Sequence, residues 1–179
     1  MLYNVIKIIK YIIRNISNKI YTLACKNSFK NVGSDLRVFR GFYCTNPKNI
    51  IVGNEVLIDQ DCWFISEFLD SSLKIGNKTK INSNVYLDYS GDLIIGDNTT
   101  ISSNTKIYTH SHGYDPNSKP IKKKLIIGNN VWIGSNVLIL ENVDYISDNS
   151  LIAAGSVLTK NVERNQIFGG NPSRLITSK

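Results

Sequence analysis

The stretch Ile95-Gly-Asp-Asn-Thr-Thr-Ile-Ser-Ser-Asn-Thr-Lys-Ile107 decides the fold. An aliphatic residue returns at every sixth position, at Ile95, Ile101 and Ile107. Ile127, Ile133 and Ile139 repeat the spacing, and Ile152 and Leu158 continue it. An α-helix, with a period of about 3.6, does not return to one face at every sixth residue, whereas extended chain with its even period does. A branched aliphatic, a glycine and a small polar residue open each run. This tag reads Val32-Gly33-Ser34, Val52-Gly53-Asn54, Ile75-Gly76-Asn77, Ile95-Gly96-Asp97 and Ile127-Gly128-Asn129. A six-residue repeat is the sign of a parallel β-helix.

If three hexapeptides make one triangular coil, a turn takes eighteen residues. The tag glycines stand farther apart than that. Gly53 to Gly76 is twenty-three residues, Gly76 to Gly96 is twenty, and Gly96 to Gly128 is thirty-two. Stacked faces must keep register, so the excess of five, two and fourteen residues leaves as loops at corners. These loops are expected at 67–72, at 89–92 (where Ser90-Gly91-Asp92 is a turn signal) and at about 110–124. A one-residue slip past Ile139 is expected near 143–145. Small residues at corners supply positive φ, and Asn82/Asn84 and Asn129/Asn130 suit that role. The expected organisation is a helix and connection over 1–30, a β-helix over 31–168, and a C-terminal tail over 169–179.

The 179 residues fit a single domain, and 42% hydrophobic with 20% charged residues is a globular composition. The net charge of +7 favours acidic partners: nucleic acid, anionic lipid, or a phosphate-bearing cofactor or substrate. Cys25, Cys44 and Cys62 are odd in number and form no C-x-x-C, which reads as reduced thiols in a cytoplasmic protein without a zinc site. Residues 1–24 combine many isoleucines with Lys7, Lys10 and Arg14 on one helical face. They are too charged for a membrane span and lack the plan of a signal peptide. Two readings stay open: an amphipathic helix lying at a membrane surface, or a helix that caps the β-helix or packs on another subunit.

Three separated motifs carry a family resemblance. They are Ile127-Gly-Asn-Asn-Val-Trp-Ile-Gly-Ser135, Ala153-Ala-Gly-Ser-Val-Leu-Thr-Lys160 and Gly170-Asn-Pro-Ser-Arg174. In this order they resemble the hexapeptide-repeat acyltransferases. The branch most similar comprises galactoside and maltose acetyltransferases and polysaccharide O-acetyltransferases. The resemblance covers roughly residues 50–176. It implies a left-handed parallel β-helix, a homotrimer with active sites between subunits, acetyl-CoA as co-substrate, and no metal or nucleic acid.

Acetyl transfer to a sugar hydroxyl needs a base for the hydroxyl proton and donors for the oxyanion. Histidine suits the first task. The chain has two histidines, His110 and His112, both at the start of the longest excursion. Against the galactoside enzymes, the family's catalytic histidine falls on His112. Asn82 falls on a position that contacts the acceptor or orders the site. Asp88, His110 and Asp115 are candidates for orienting His112 or binding sugar hydroxyls, although a backbone carbonyl can orient the base in this family. Trp132, Ser135, Ala154, Gly155 and Thr159 match positions along the pantetheine arm. Lys160 and Arg174 match basic positions near the nucleotide phosphates. Plain structural roles compete with these: a corner Asn, an interface Trp and solvated surface charge. For the run Lys122-Lys123-Lys124, a solvated face competes with capture of an anionic substrate.

The chain departs from the family at Glu141-Asn142, at Ile146-Ser147 and at Ala153. The acceptor-binding N-terminal segment of the galactoside and maltose enzymes is replaced by the basic helix. The expectation is therefore an acetyl-CoA-dependent O-acetyltransferase for a surface polysaccharide or its precursor, located in the cytoplasm and, if the first helix lies at a membrane, on the membrane's inner face. N-acetylation of an amino sugar nucleotide and a non-catalytic scaffold are the alternatives. A carbonic-anhydrase-like relative would need a third histidine.

Overall fold

Each six-residue step delivers one inward aliphatic to each of three faces in turn, so the chain winds as a triangular parallel β-helix. The computed structural model describes residues 2–178. Met1 and Lys179, which end the two terminal segments, lie outside the described residues. The first face stacks strands Asn31–Val32, Ile50–Val52, Leu73–Ile75, Leu93–Ile95, Leu125–Ile127 and Tyr145–Ile146. The second stacks Arg37–Val38, Leu57–Ile58, Lys80–Ile81, Thr100–Ile101, Trp132–Ile133 and Leu151–Ile152. The third stacks Tyr43–Cys44, Trp63–Ile65, Tyr86–Asp88, Lys106–Ile107, Leu138–Ile139 and Val157–Leu158. Neighbouring coils pair in parallel, as in Ile81↔Ile101↔Ile133. The inward column of the second face, Val38, Ile58, Ile81, Ile101, Ile133 and Ile152, is fully buried. Removing each such isoleucine or valine from water contributes on the order of 1.5–3 kcal/mol.

Two of the three corners are regular. Three residues after each inward aliphatic, one residue turns left-handed. At the corner between the first and second faces it is Asp35, Glu55, Lys78, Asn98, Asn130 or Asn149. Between the second and third faces it is Gly41, Asp61, Asn84, Asn104, Asn136 or Gly155. Of the pair Asn82/Asn84, it is therefore Asn84 that takes the positive φ.

The tag glycines have a different task. A Cβ on Gly96 would sit 2.6 Å from both the carbonyl carbon and the oxygen of Gly128 in the next coil. The glycines let successive coils approach. The polar residue after each glycine forms a ladder. The side-chain oxygen of Asn77 accepts from Asn54 N–H at 2.8 Å, Asp97 from Asn77 at 2.6 Å, Asn129 from Asp97 at 2.8 Å, and Asp148 from Asn129 at 2.7 Å. Ser147 replaces glycine in the last full coil, where no further Ile-Gly tag stacks on it.

Every excess residue leaves at the third corner, between the third face and the next first face. The regular step from Phe64 would reach residue 70, yet its coil resumes at Ile75; from Leu87 the chain resumes at Ile95, from Ile107 at Ile127, and from Ile139 at Ile146. The first coil also has two extra residues here, around the short 3₁₀ turn Pro47–Asn49. The longest excursion forms an antiparallel hairpin, His110–Ser111 with Ile121–Lys122.

Helix α1, Leu2–Ser28, covers the open first coil with its C-terminal half. Thr22 Oγ1 donates to Val38 O at 3.0 Å and accepts from Val38 N–H at 2.9 Å, and Asn18 Oδ1 accepts from Arg40 N–H at 3.0 Å. These side chains satisfy an edge strand that has no coil beneath it. Cys25 and Phe29 close the core, with Phe29, Phe42 and Phe64 in edge-to-face contact. At the other end, Gln166–Gly170 joins the second face and Ser173–Ser178 folds back on it antiparallel.

Candidate active site

Three consecutive coils place their third corners one above another, and the chemistry collects there. The second coil contributes Glu67, the third Asp88 and Ser90, and the fourth Thr109, His110 and His112. Asp88 is the pillar of the group. It is 1% exposed, and its carboxylate accepts five hydrogen bonds. Oδ1 takes Ser90 N–H at 3.1 Å and Ser90 Oγ at 2.5 Å. Oδ2 takes Thr109 N–H at 2.5 Å, Thr109 Oγ1 at 3.1 Å and His110 Nδ1 at 2.8 Å.

Asp88 thus orients His110 and not His112. His112 is held by a backbone carbonyl: its Nδ1 lies 2.8 Å from Ser118 O, and Ser118 Oγ donates back to His112 O at 2.5 Å. A carbonyl only accepts, so Nδ1 of His112 carries a proton, and in the neutral imidazole Nε2 is the atom that presents the lone pair. Both ring Nε2 atoms turn toward Glu67, at 3.4 Å for His110 and 4.0 Å for His112. The two imidazoles meet edge to face with centroids 5.4 Å apart. Side-chain exposure rises from 14% at His110 to 32% at His112 and 45% at Glu67, so the cluster opens outward from Asp88.

The other expected residues fall in different places. Asp115 builds the loop turn, with Oδ1 accepting from Asn117 N–H at 2.9 Å and its carbonyl accepting from Ser118 N–H at 2.9 Å, and has no contact with His112 among these bonds. Asn82, Ser135, Ala154 and Gly155 lie along the corner between the second and third faces. There Ser135 O accepts from Gly155 N–H at 2.8 Å, and a Cβ built on Gly155 would meet no atom within 4 Å beyond its chain neighbours. Trp132 projects from the second face, 55% exposed, with Nε1 donating to Ser102 Oγ at 3.1 Å. Thr159 and Lys160 sit on the third corner of the last full coil, and Arg174 is exposed on the final strand. The whole third face separates the Ser135 edge from the His112 edge.

Lys122 is drawn into the structure instead of lying free. Its ammonium is 2.5 Å from Asp70 Oδ1 and 4.4 Å from the centre of the Phe68 ring. This contact lowers the Asp70 carboxyl below its ordinary pKa, the hydrogen bond to Lys122 being the largest cause. The hairpin therefore docks on the 67–72 loop. Glu67 is the residue that sequence reading missed. Its loop was expected as surplus length, and the signal that could have found it is that its corner stacks near the corner that carries the histidines.

No protein-family profile matches the chain. The galactoside O-acetyltransferase of Escherichia coli (strain K12) is 36% identical over 110 residues, 59% of this chain and 54% of that enzyme. The chain spans about half the length of the curated relatives it matches. A hexapeptide-repeat acetyltransferase of Vibrio cholerae, solved with acetyl coenzyme A, superposes with TM-score 0.64 and 28% identity, covering 86% of this chain and 73% of that one. AntD, an N-acyltransferase from Bacillus cereus solved with dTDP and coenzyme A, superposes with TM-score 0.74 over 86% of both chains; at 24% identity the likeness is one of fold. The chain thus has the left-handed parallel β-helix fold seen in hexapeptide-repeat acyltransferases, and over 59% of its length it is similar in sequence to a galactoside O-acetyltransferase.

Proposed function

We propose that the chain is an acetyl-CoA-dependent O-acetyltransferase acting on a sugar hydroxyl of a surface polysaccharide or its precursor, with His112 as general base. The observation that carries this reading is the fixed tautomer of His112. With Nδ1 committed to Ser118 O, the accessible Nε2 is free to take a proton. In direct transfer, the acceptor hydroxyl gives its proton to Nε2 as its oxygen attacks the thioester carbonyl. The tetrahedral intermediate then expels the CoA sulfur, which leaves with the proton held on His112. Glu67, close to the ring, stabilises the imidazolium formed in between. Ser135 is the candidate donor to the oxyanion, and Trp132, Ala154, Gly155, Thr159, Lys160 and Arg174 are the candidate contacts to acetyl-CoA. Asn82 is a candidate acceptor contact.

This reading needs more than one subunit. His112 and Ser135 stand on different edges of one prism, so a single chain does not bring them together. A homotrimer that sets the His112 edge of one subunit beside the Ser135 edge of its neighbour completes the site. An aromatic column on the third face, the exposed Tyr43 and Trp63 with centroids 5.6 Å apart and then the half-buried Tyr86 in register, supplies apolar surface for such packing.

Helix α1 supports a membrane-linked acceptor. Asn18, Thr22 and Cys25 face the solenoid, so the stripe Val5, Ile9, Ile12, Ile13, Ile16, Ile20 and Leu23 on the opposite face is exposed. No acidic residue occurs in α1, while Lys7, Lys10, Arg14, Lys19 and Lys26 are basic. An apolar stripe with a cationic remainder fits an anionic membrane surface. Among the described residues no helix is long and apolar enough to cross a membrane.

The test is acetyl transfer from acetyl-CoA to a panel of glycans and amino sugar nucleotides, read by mass spectrometry. Transfer to hydroxyl-only acceptors is expected, and transfer to amino sugars alone refutes O-acetylation. His112→Ala should lower turnover by about 10²–10⁴-fold while acetyl-CoA binding is unchanged. Full activity in that variant refutes the assignment of the base.

A further inference from the structure

We propose that Glu67, His110 and His112 form a binding site for a divalent transition-metal ion of the zinc type, and that its occupation switches the acetyl transfer off. Each residue offers one ligand atom, and the three atoms lie within 4.8 Å of one another. The hydrogen bonds behind them decide their character. Asp88 accepts five donors as a carboxylate, so Nδ1 of His110 donates to it, and Nδ1 of His112 donates to Ser118 O. With Nδ1 of each ring engaged, Nε2 is the ring atom that faces the carboxylate of Glu67, and in the neutral imidazole it carries the lone pair a metal ion would take. Lone pairs and a carboxylate repel one another unless a proton or a cation stands between them.

The surroundings are those of a metal centre. Metal-bound histidines donate their second ring N–H to a carboxylate or a backbone carbonyl, and here one ring does each. Two imidazoles and one carboxylate, with a fourth position open, match catalytic-type zinc sites and exclude magnesium, which prefers oxygen ligands. Ligand atoms around tetrahedral zinc stand about 3.4 Å apart for bonds of about 2.0–2.1 Å. His110 Nε2 stands 3.4 Å from Oε1 of Glu67 and His112 Nε2 stands 4.0 Å from its Oε2, and one ligand atom from each of the three residues lies within 4.8 Å of the others, so the set must contract to reach this value. Glu67 and His112 are the more exposed members and can close the remainder, while Asp88 anchors His110.

A bound ion takes the Nε2 lone pair that the acceptor's proton needs. This inhibitory consequence rests on His112 being the base; the binding itself does not. The experiment is calorimetric titration of metal-stripped full-length protein with ZnCl₂, with MgCl₂ as a control. Cobalt(II) absorption serves as a second readout of ligand geometry. One zinc per chain is expected, at micromolar Kd or tighter. Glu67→Gln and His110→Ala should each weaken binding by tenfold or more, and Asp88→Asn by about 10–100-fold. Circular dichroism of each variant checks folding, and Glu67→Gln, at an exposed position, keeps the test available if the others misfold. Absence of saturable zinc binding overturns the site, as does parent-like binding by Glu67→Gln. Zinc that binds with the expected losses while transfer persists at saturation leaves the site standing and refutes His112 as the base.

Discussion

Asp88→Asn removes one charge without changing shape, and its cost follows from the five donors that the carboxylate holds. The amide keeps one oxygen and places an NH₂ where the other stood. The hydroxyls of Ser90 and Thr109 can rotate to accept from that NH₂. The backbone N–H groups of Ser90 and Thr109 cannot reverse, and they bind different oxygens. Whichever way the amide is turned, one buried N–H faces another donor. An unsatisfied buried donor costs about 1–3 kcal/mol, and loss of charge assistance in the remaining bonds adds about 1 kcal/mol. The expected destabilisation is about 2–4 kcal/mol. Urea unfolding measures it as a lower midpoint at unchanged slope. Amide hydrogen exchange should speed up over residues 109–124, because Asp88 ties the hairpin to the third coil. A midpoint loss worth less than about 0.5 kcal/mol, with unchanged exchange in the hairpin, would refute the view that Asp88 holds the loop.

Four further outcomes are expected. Gly96→Ala forces a Cβ to 2.6 Å from the Gly128 carbonyl and should cost at least about 1–3 kcal/mol in urea unfolding, where a neutral result would sink the stacking role of the tags. Burial is the main cause that pushes the thiols of Cys25 and Cys62 up to about 12 and that of Cys44 to about 11, so at pH 8 Cys25 and Cys62 should react with a disulfide reagent about a thousandfold more slowly than an ordinary thiol. Folding raises these pKa values, so the stability they contribute is full below pH 9 and is lost as pH rises toward 12. Ile9→Glu with Ile13→Glu should abolish sedimentation with vesicles rich in anionic lipid, and the parent's binding should weaken with salt; a parent that stays in the supernatant refutes membrane docking, and a variant that instead falls apart to monomers assigns the stripe to subunit packing.

The period made the solenoid legible before any contact was known, because Ile95, Ile101 and Ile107 need a chain that returns to three faces in turn. The loop positions followed from the same arithmetic, since registers of stacked strands leave no other place for spare residues. The reason for the tag glycines was not legible. Positive φ is the common reason for a corner glycine, and only stacking shows that Gly96 answers to the Gly128 backbone while Asn98 takes the left-handed turn. Glu67 was hidden for a related reason. It is forty-three residues from His110 in sequence and meets it only because both leave from the same corner. The pairing of Asp88 with His110 was equally out of reach, since spacing says nothing about which of two histidines turns inward.

That shared corner is itself a consequence of how the coils are locked. The corner between the first and second faces carries both a left-handed residue in every coil and the ladder of side-chain oxygens from Asn54 to Asp148. The corner between the second and third faces carries its own column of left-handed residues. An insertion at either would break a stack that runs the length of the prism. The third corner carries no such continuous column, so a loop there changes one coil's length and leaves its neighbours in register. Loops of different lengths then lie one above another on a rigid edge. A carboxylate, a buried aspartate and two histidines from three coils meet there because it is the one edge on which the repeat tolerates interruption.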